Sequence, residues 1–167
     1  MTTFTTPISW PTGLDVTETI LNQQVRDNEI NLDARLVVLE SAANPIRSAV
    51  VSVVPDAVQV DTTSGVKYLP IPSSVNGCNL ISATAFVITP GVTGATTVQV
   101  RNMTKYPSND ALSSAMSIAS GGSVSTGAVV ATSYDDISTS DLLKIYVTGQ
   151  STTKPYGLYV ILEFQVP

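Results

Sequence analysis

The side chains best placed to do chemistry are three carboxylates, Asp135, Asp136 and Asp141, within SYDDISTSDLL. Carboxylates this close in sequence can hold Ca²⁺ or serve as the acid and base of a glycosidase. They suit turns and strand starts equally well, with their oxygens accepting hydrogen bonds from nearby backbone amides. The turn reading is preferred, because no glycine-centred calcium loop accompanies them. The chain has no histidine, which removes the commonest general base and the commonest metal ligand. Neither a Ser-His-Asp nor a Cys-His arrangement can be built. Cys78, the single cysteine, lies in NGCNLIS and reads as a small buried hydrophobe, and it allows no intramolecular disulfide. Glycine-rich phosphate-binding patterns are missing, and Gly121-Gly122 between serines reads as a hairpin tip. Asn102-Met103-Thr104 matches a glycosylation sequon that is incidental without a secretory signal. Six tyrosines, Tyr68, Tyr106, Tyr134, Tyr146, Tyr156 and Tyr159, could stack on sugars, although most read as sheet or subunit contacts. The balance points away from an enzyme, with no cofactor and no metal expected.

The elements that must position these groups follow from composition and period. Hydrophobic residues make up 43% and charged residues 13% of the 167-residue chain, enough to bury a core and too apolar for general disorder. Serine and threonine number 40, which suits half-solvated strands and polar turns. The net charge is −5, and residues 1 to 44 carry six acids and two bases against seven and six in the remainder. A chain this acidic is poorly suited to phosphate backbones, so no nucleic acid partner is expected. The opening MTTFTTPISWP lacks the basic and apolar regions of a signal peptide, and no apolar run approaches the roughly 20 residues of a membrane span. The expected place of synthesis is a cytoplasm, with the product soluble or built into an assembly.

From Ile46 onward the hydrophobic period is two. Strands are predicted at 48–54, 57–61, 66–69, 80–89, 96–102, 112–119, 128–132, 142–148 and 157–166, separated by Pro, Gly, Asn and Asp punctuation. The clearest alternation puts Leu158, Val160, Leu162, Phe164 and Val166 on one face, with Tyr159, Glu163 and Gln165 on the other. Leu143, Ile145 and Val147 against Lys144, Tyr146 and Thr148 repeat it. The predicted fold class is mainly β, an antiparallel sandwich over 45–167, with a jelly roll as the best single topology.

Ahead of it, 14–44 is predicted to be a helical stalk. The stretch is free of Gly and Pro until Pro45, and Asp15 with Glu18 resembles a capping box. Leu21, Val25, Asn28, Leu32, Leu36 and Leu39 follow a 4-3-4-4-3 spacing, a narrow seam suited to a trimeric coiled coil. Asn28 in that seam would cost stability and set register and copy number. Residues 1–13, punctuated by Pro7, Pro11 and Gly13, read as an extended arm. Phe4, Ile8 and Trp10 are too large to be buried by so short a segment, so they either fold back on the helix start or anchor the arm on another chain.

With arm, helix and sandwich laid out, the chain resembles structural proteins of tailed-bacteriophage virions. TPISWPTGLDVTETILNQQVRDNEINL is similar to an N-terminal signature of such proteins, carried here by Trp10, Gly13, Val16, Thr17, Leu21, Asn22, Val25, Arg26, Asp27 and Asn28. Glu29-Ile30 stands where the signature usually has Leu. VQVRNMTKYPSNDALSSAMSIASGG and SDLLKIYVTGQSTTKPYGLYVILEF resemble a β-sandwich module of the same kind of protein, through Leu112-Ser113, Ile118, Asp141, Ile145, Val147 and the run Lys154 to Leu158. The resemblance implies a non-enzymatic virion component made in a bacterial host's cytoplasm. It implies a homotrimer bound to other virion proteins, the major capsid protein first among them. A capsid decoration or head-fibre protein, anchored by its N-terminal region with the sandwich displayed outward, is the leading expectation. The alternative is a tail-fibre or adhesin subunit whose sandwich binds a host-surface glycan or receptor, and a polysaccharide depolymerase acting through the three aspartates ranks third.

Overall fold

Apolar residues at every second position dominate the chain after Pro45, and the computed structural model, which describes residues 22, 23, 25–30, 32 and 45–167, turns that alternation into nine strands among the described residues. They are Arg47–Gln59 (β1), Val66–Pro70 (β2), Asn79–Thr89 (β3), Thr96–Asn102 (β4), Leu112–Ser114 (β5), Met116–Ile118 (β6), Val129–Val130 (β7), Leu142–Gly149 (β8) and Tyr156–Gln165 (β9). One sheet has the order β1-β9-β3, a second β2-β8-β4-β6, and β5 pairs with β7. All pairings are antiparallel. Strands β1 to β4 fall alternately in the two sheets while β8 and β9 return to lie between them. Early and late strands interleave in this way in Greek-key sandwiches.

The inner faces meet in a single core. Leu158, Val160, Leu162 and Phe164 of β9 face Val98 and Val100 of β4 and Leu143, Ile145 and Val147 of β8 in one buried cluster. Burying a side chain of this size stabilises by about 1.5–3 kcal/mol, so the alternation dictates which face of each strand turns inward. Val166, placed with the inward set by the alternation, lies beyond the end of β9 and is exposed.

Two of the larger departures from the segments read in the sequence have local causes. The segments 48–54 and 57–61 join in β1, because Pro55 lies on an edge strand, where its missing N–H breaks no ladder bond. A bulge between Ser52 and Val54 opposite β9 lets both Val53 and Val54 turn inward and be buried. The segment 112–119 splits into β5 and β6, which pair with different partners. After Gly121-Gly122 the chain runs along the outer edge of β3, with Val87 N–H donating to Ser123 O at 3.0 Å and Ser125 N–H to Ala85 O at 2.9 Å.

The long helix and coiled coil expected at 14–44 are corrected. Before Pro45 the described residues are 22–23, 25–30 and 32, all of them helical and exposed. Among the described residues the one helical element with assigned bounds is the 3-10 turn Ser73–Val75. The described chain is therefore mainly β with a short helix, not a β domain on a helical stalk. Val25, Asn28 and Leu32, the described members of the seam, bury nothing. With no partner against it, so narrow a stripe adds nothing to these residues beyond intrinsic helix propensity. Leu21, Leu36 and Leu39 of the seam, and Phe4, Ile8 and Trp10 of the arm, lie outside the described residues. The chain divides into two units, Met1–Pro45 and Ile46–Pro167.

Candidate functional site

The three aspartates sit where two loops close one end of the sandwich, and two of them, Asp136 and Asp141, hold side-chain partners. Asn102 ends β4 fully buried. Its Nδ2 donates to Asp141 Oδ2 at 2.7 Å, and its Oδ1 accepts from the amides of Thr104 at 3.1 Å and Lys105 at 3.0 Å. Asp141 Oδ2 also accepts from Ser138 N–H at 2.9 Å, which locks the turn into β8. Asp136 accepts from Lys105 Nζ at 3.2 Å and Tyr106 OH at 3.1 Å. The hydrogen bond from Lys105, and then that from Tyr106, hold its carboxyl below the usual range. Asp135 is buried, and the loss of solvent pushes its carboxyl up. The two neighbours differ because one is paired and the other is desolvated. Among the described residues no group of three or more acidic or thiol side chains is placed to hold a metal ion. The cluster is a clasp between loops 102–106 and 134–141, and the Tyr106–Tyr134 edge-to-face contact, with centroids 5.3 Å apart, completes it. The same bonds take Asn102 out of reach as a glycosylation acceptor.

Cys78 is a buried free thiol whose sulfur lies 3.3 Å from Arg47 Nη1. Tyr156 OH accepts from Gln59 at 3.0 Å, and Tyr159 OH donates to Asp56. These two tyrosines tie β9 to β1.

The remaining tyrosines, Tyr68 and Tyr146, share the outer face of the second sheet, a constellation not singled out from sequence. Here the register sets Tyr68 of β2 opposite Lys144 of β8, and Lys144 opposite Arg101 of β4. The adjacent row is Val66, Tyr146 and Gln99. Arg101 Nε donates to Asp110 at 2.8 Å, and its Nη2 donates to Tyr146 OH at 2.9 Å. Tyr146 OH in turn donates to Asp110 Oδ1 at 2.6 Å. Burial first, and then the bond to Asp110, push the Tyr146 phenol up to about 12, while Asp110 raises the Arg101 guanidinium. Lys144 Nζ lies 4.7 Å and Arg101 Cζ 5.4 Å from the Tyr146 ring centroid, both within cation–π range. The sequence signals for this face are the outward phase of Lys144 and Tyr146 in β8 and of Gln99 and Arg101 in β4. Their neighbours depend on strand pairing, which alternation alone does not reveal.

The outer face of the first sheet is different. Val50 pairs with Ile161, which pairs with Thr84, and Tyr159 pairs with Phe86, which bridges Val124. Val50, Ile88 and Val124 are 69%, 57% and 48% exposed. No described helix is long and apolar enough to cross a membrane. Comparisons with protein-family models, with curated proteins and with solved structures find no match.

Proposed function

We propose that this chain is a non-enzymatic structural protein of a virion, of the capsid decoration or head-fibre type. It works as a homotrimer, held on the particle through its N-terminal region by contacts with other virion proteins, the major capsid protein first. The observation that carries this reading is the run of apolar side chains on the outer face of the β1-β9-β3 sheet, set among Ser52, Thr84, Tyr159 and Glu163. Val50, Ile161, Phe86, Ile88 and Val124 run together across neighbouring strands by register and alternation. A contiguous exposed apolar surface is a contact surface in need of a partner, and in a homotrimer a neighbouring subunit covers it. The aspartate clasp supports a structural role in the same way, since Asp136 and Asp141 are engaged in holding loops. The N-terminal likeness to phage virion proteins supplies the setting.

The test is incorporation into particles. A chain lacking residues 1–13, and with them Phe4, Ile8 and Trp10, should still assemble with copies of itself but be missing from purified virions. Normal incorporation of that truncated chain overturns the anchoring, and failure to find the full chain in virions overturns the proposal. Changing Val50 and Ile88 to Lys should leave the fold intact and reduce the mass in solution from three chains to one.

A further inference from the structure

We propose that Asn76-Gly77 is a modification site, at which the chain converts its own asparagine to isoaspartate whenever the loop carrying it opens. The reaction needs no partner but water, and it is independent of the structural role above.

Asn76 is the one asparagine of eight that is followed by glycine. In such a pair the glycine nitrogen can reach the asparagine side-chain carbonyl, because the following residue has no Cβ to obstruct the approach. Gly77 N bonds to Asn76 Cγ, and the Cγ–Nδ2 bond breaks. Nδ2 leaves as ammonia, carrying the proton from the Gly77 nitrogen. Water then opens the five-membered imide. Cleavage at the main-chain carbonyl of Asn76 leaves isoaspartate, whose backbone runs through the former side chain, and cleavage at Cγ leaves aspartate. Both residues are exposed, so water reaches the imide and ammonia departs freely.

The folded loop holds the reaction back in three ways. Asn76 has ψ 131°, which turns the Gly77 nitrogen away from the side chain it would attack. Gly77 N–H donates to Ile137 O at 3.0 Å, so the attacking nitrogen is engaged. Asn76 Oδ1 accepts from Thr139 N–H at 2.8 Å, which directs the side chain toward the neighbouring loop. Ring closure requires rotation about the Cα–C bond of Asn76, and that rotation breaks the bond to Ile137. Ile137 N–H to Cys78 O and Leu80 N–H to Asp135 O, both at 2.8 Å, join the same two segments. Local opening of segments 76–80 and 135–139 therefore controls the rate. The fold also requires this reactive pair. Gly77 adopts φ +71°, a conformation that favours glycine, and Asn76 satisfies the Thr139 amide. Isoaspartate inserts an extra carbon into the main chain ahead of Gly77 and so displaces the bond to Ile137. Conversion is one-way and leaves a lasting record of loop opening.

The test incubates the full chain in neutral buffer, both folded and in urea above its unfolding transition. Intact mass records the exchange of NH for O, and peptide mapping separates isoaspartyl, aspartyl and asparaginyl forms. In the unfolded chain Asn76 should convert faster than any other asparagine. In the folded chain it should convert at least about tenfold more slowly, the factor set by an opening free energy of about 1.4 kcal/mol. Ile137 is buried, and Ile137→Val, which loosens its packing, should raise the folded rate about threefold to tenfold. Asn76→Gln would need a six-membered ring and should show no conversion at that position. Absence of preferential conversion at Asn76 in the unfolded chain overturns the site. Equal rates in the folded and unfolded chains overturn control by the loop, and so does a folded rate unchanged by Ile137→Val.

Discussion

Replacing Asp141 by alanine tests whether the acidic cluster is a clasp. The carboxylate is buried and accepts two hydrogen bonds at Oδ2, from Asn102 Nδ2 at 2.7 Å and from the Ser138 amide at 2.9 Å. Hydrogen bonds to a charged group contribute about 1.5–3 kcal/mol each, and a buried donor left without a partner forfeits its desolvation cost as well. Asn102 is fully buried, so water cannot replace the lost acceptor there, whereas the Ser138 amide is nearer solvent. The expected destabilisation is therefore about 3 kcal/mol, most of it from the stranded Asn102 amide. For a folded unit spanning Ile46–Pro167, that lowers the thermal midpoint by on the order of 10 °C. Asp141→Asn keeps an acceptor oxygen and should lose about 1 kcal/mol. Asp136→Ala should lose at most about 1 kcal/mol, because its pair with Lys105 is largely exposed. Thermal and urea unfolding of the full chain, followed by circular dichroism, measure all three. The reasoning is refuted if Asp141→Ala melts within about 2 °C of the parent, or if Asp136→Ala is the more damaging change.

A Cβ added at Gly65 would lie 2.3 Å from Val147 Cγ2 and 2.5 Å from the Asp61 carbonyl, so Gly65→Ala should cost about 1–3 kcal/mol in urea unfolding. Asp61 accepts from the Ser64 amide first, then from Lys154 and from the Ser64 hydroxyl, and these bonds hold its carboxyl well below the ordinary 3.8. A depressed carboxyl stabilises the fold above its unfolded value and loses that contribution as pH falls below it. Asp61→Asn should accordingly flatten the loss of thermal midpoint between about pH 4 and pH 2. Tyr146, pushed up to about 12, stays protonated in the fold after an unfolded tyrosine has ionised. Its contribution to stability should fall as pH rises from about 10 toward 12. Ultraviolet titration of Tyr146→Phe should lack the last phenol to ionise.

The strands were legible because burial and period coincide. Leu158, Val160, Leu162 and Phe164 carry the alternation without interruption, and all four are buried. Where the period fails, a local device is at work. Val53 and Val54 both turn inward at a bulge, and Pro55 lies inside a strand because that strand is an edge. Neither can be foreseen from spacing, since both depend on which strand lies alongside. The coiled coil fails for the opposite reason. Val25, Asn28 and Leu32 carry the right spacing, but spacing supplies a helix with stability only when a partner covers the stripe. The aspartates were assigned to turns, and the geometry gives that assignment a mechanism in Asn102, whose burial at the end of β4 had no signal in the sequence. The Arg101, Asp110 and Tyr146 network was invisible, because its members are separated by 9 and 36 residues and meet only through strand pairing and the loop after β4.

The two outer faces of the sandwich obey the same alternation and differ in how much exposed apolar surface they carry. On β9 the outward residues are Tyr159, Ile161 and Glu163, and register adds Ser48, Val50 and Ser52 from β1 and Ser82, Thr84 and Phe86 from β3. On β8 the outward residues are Lys144, Tyr146 and Thr148, joined by Arg101 and Gln99 from β4 and by Tyr68 from β2. A strand face directed only at solvent carries no selection for exposed valine and isoleucine, and an apolar face left bare promotes association. Polar groups locked into a hydrogen-bonded floor lose side-chain freedom, which an ordinary solvated face has no reason to give up. One face is thus suited to being covered by protein and the other to remaining open with fixed geometry. A domain built this way can attach through the first sheet while presenting the second. Under the proposed function assembly depends on Val50 and Ile88, neither of which lies on the polar face.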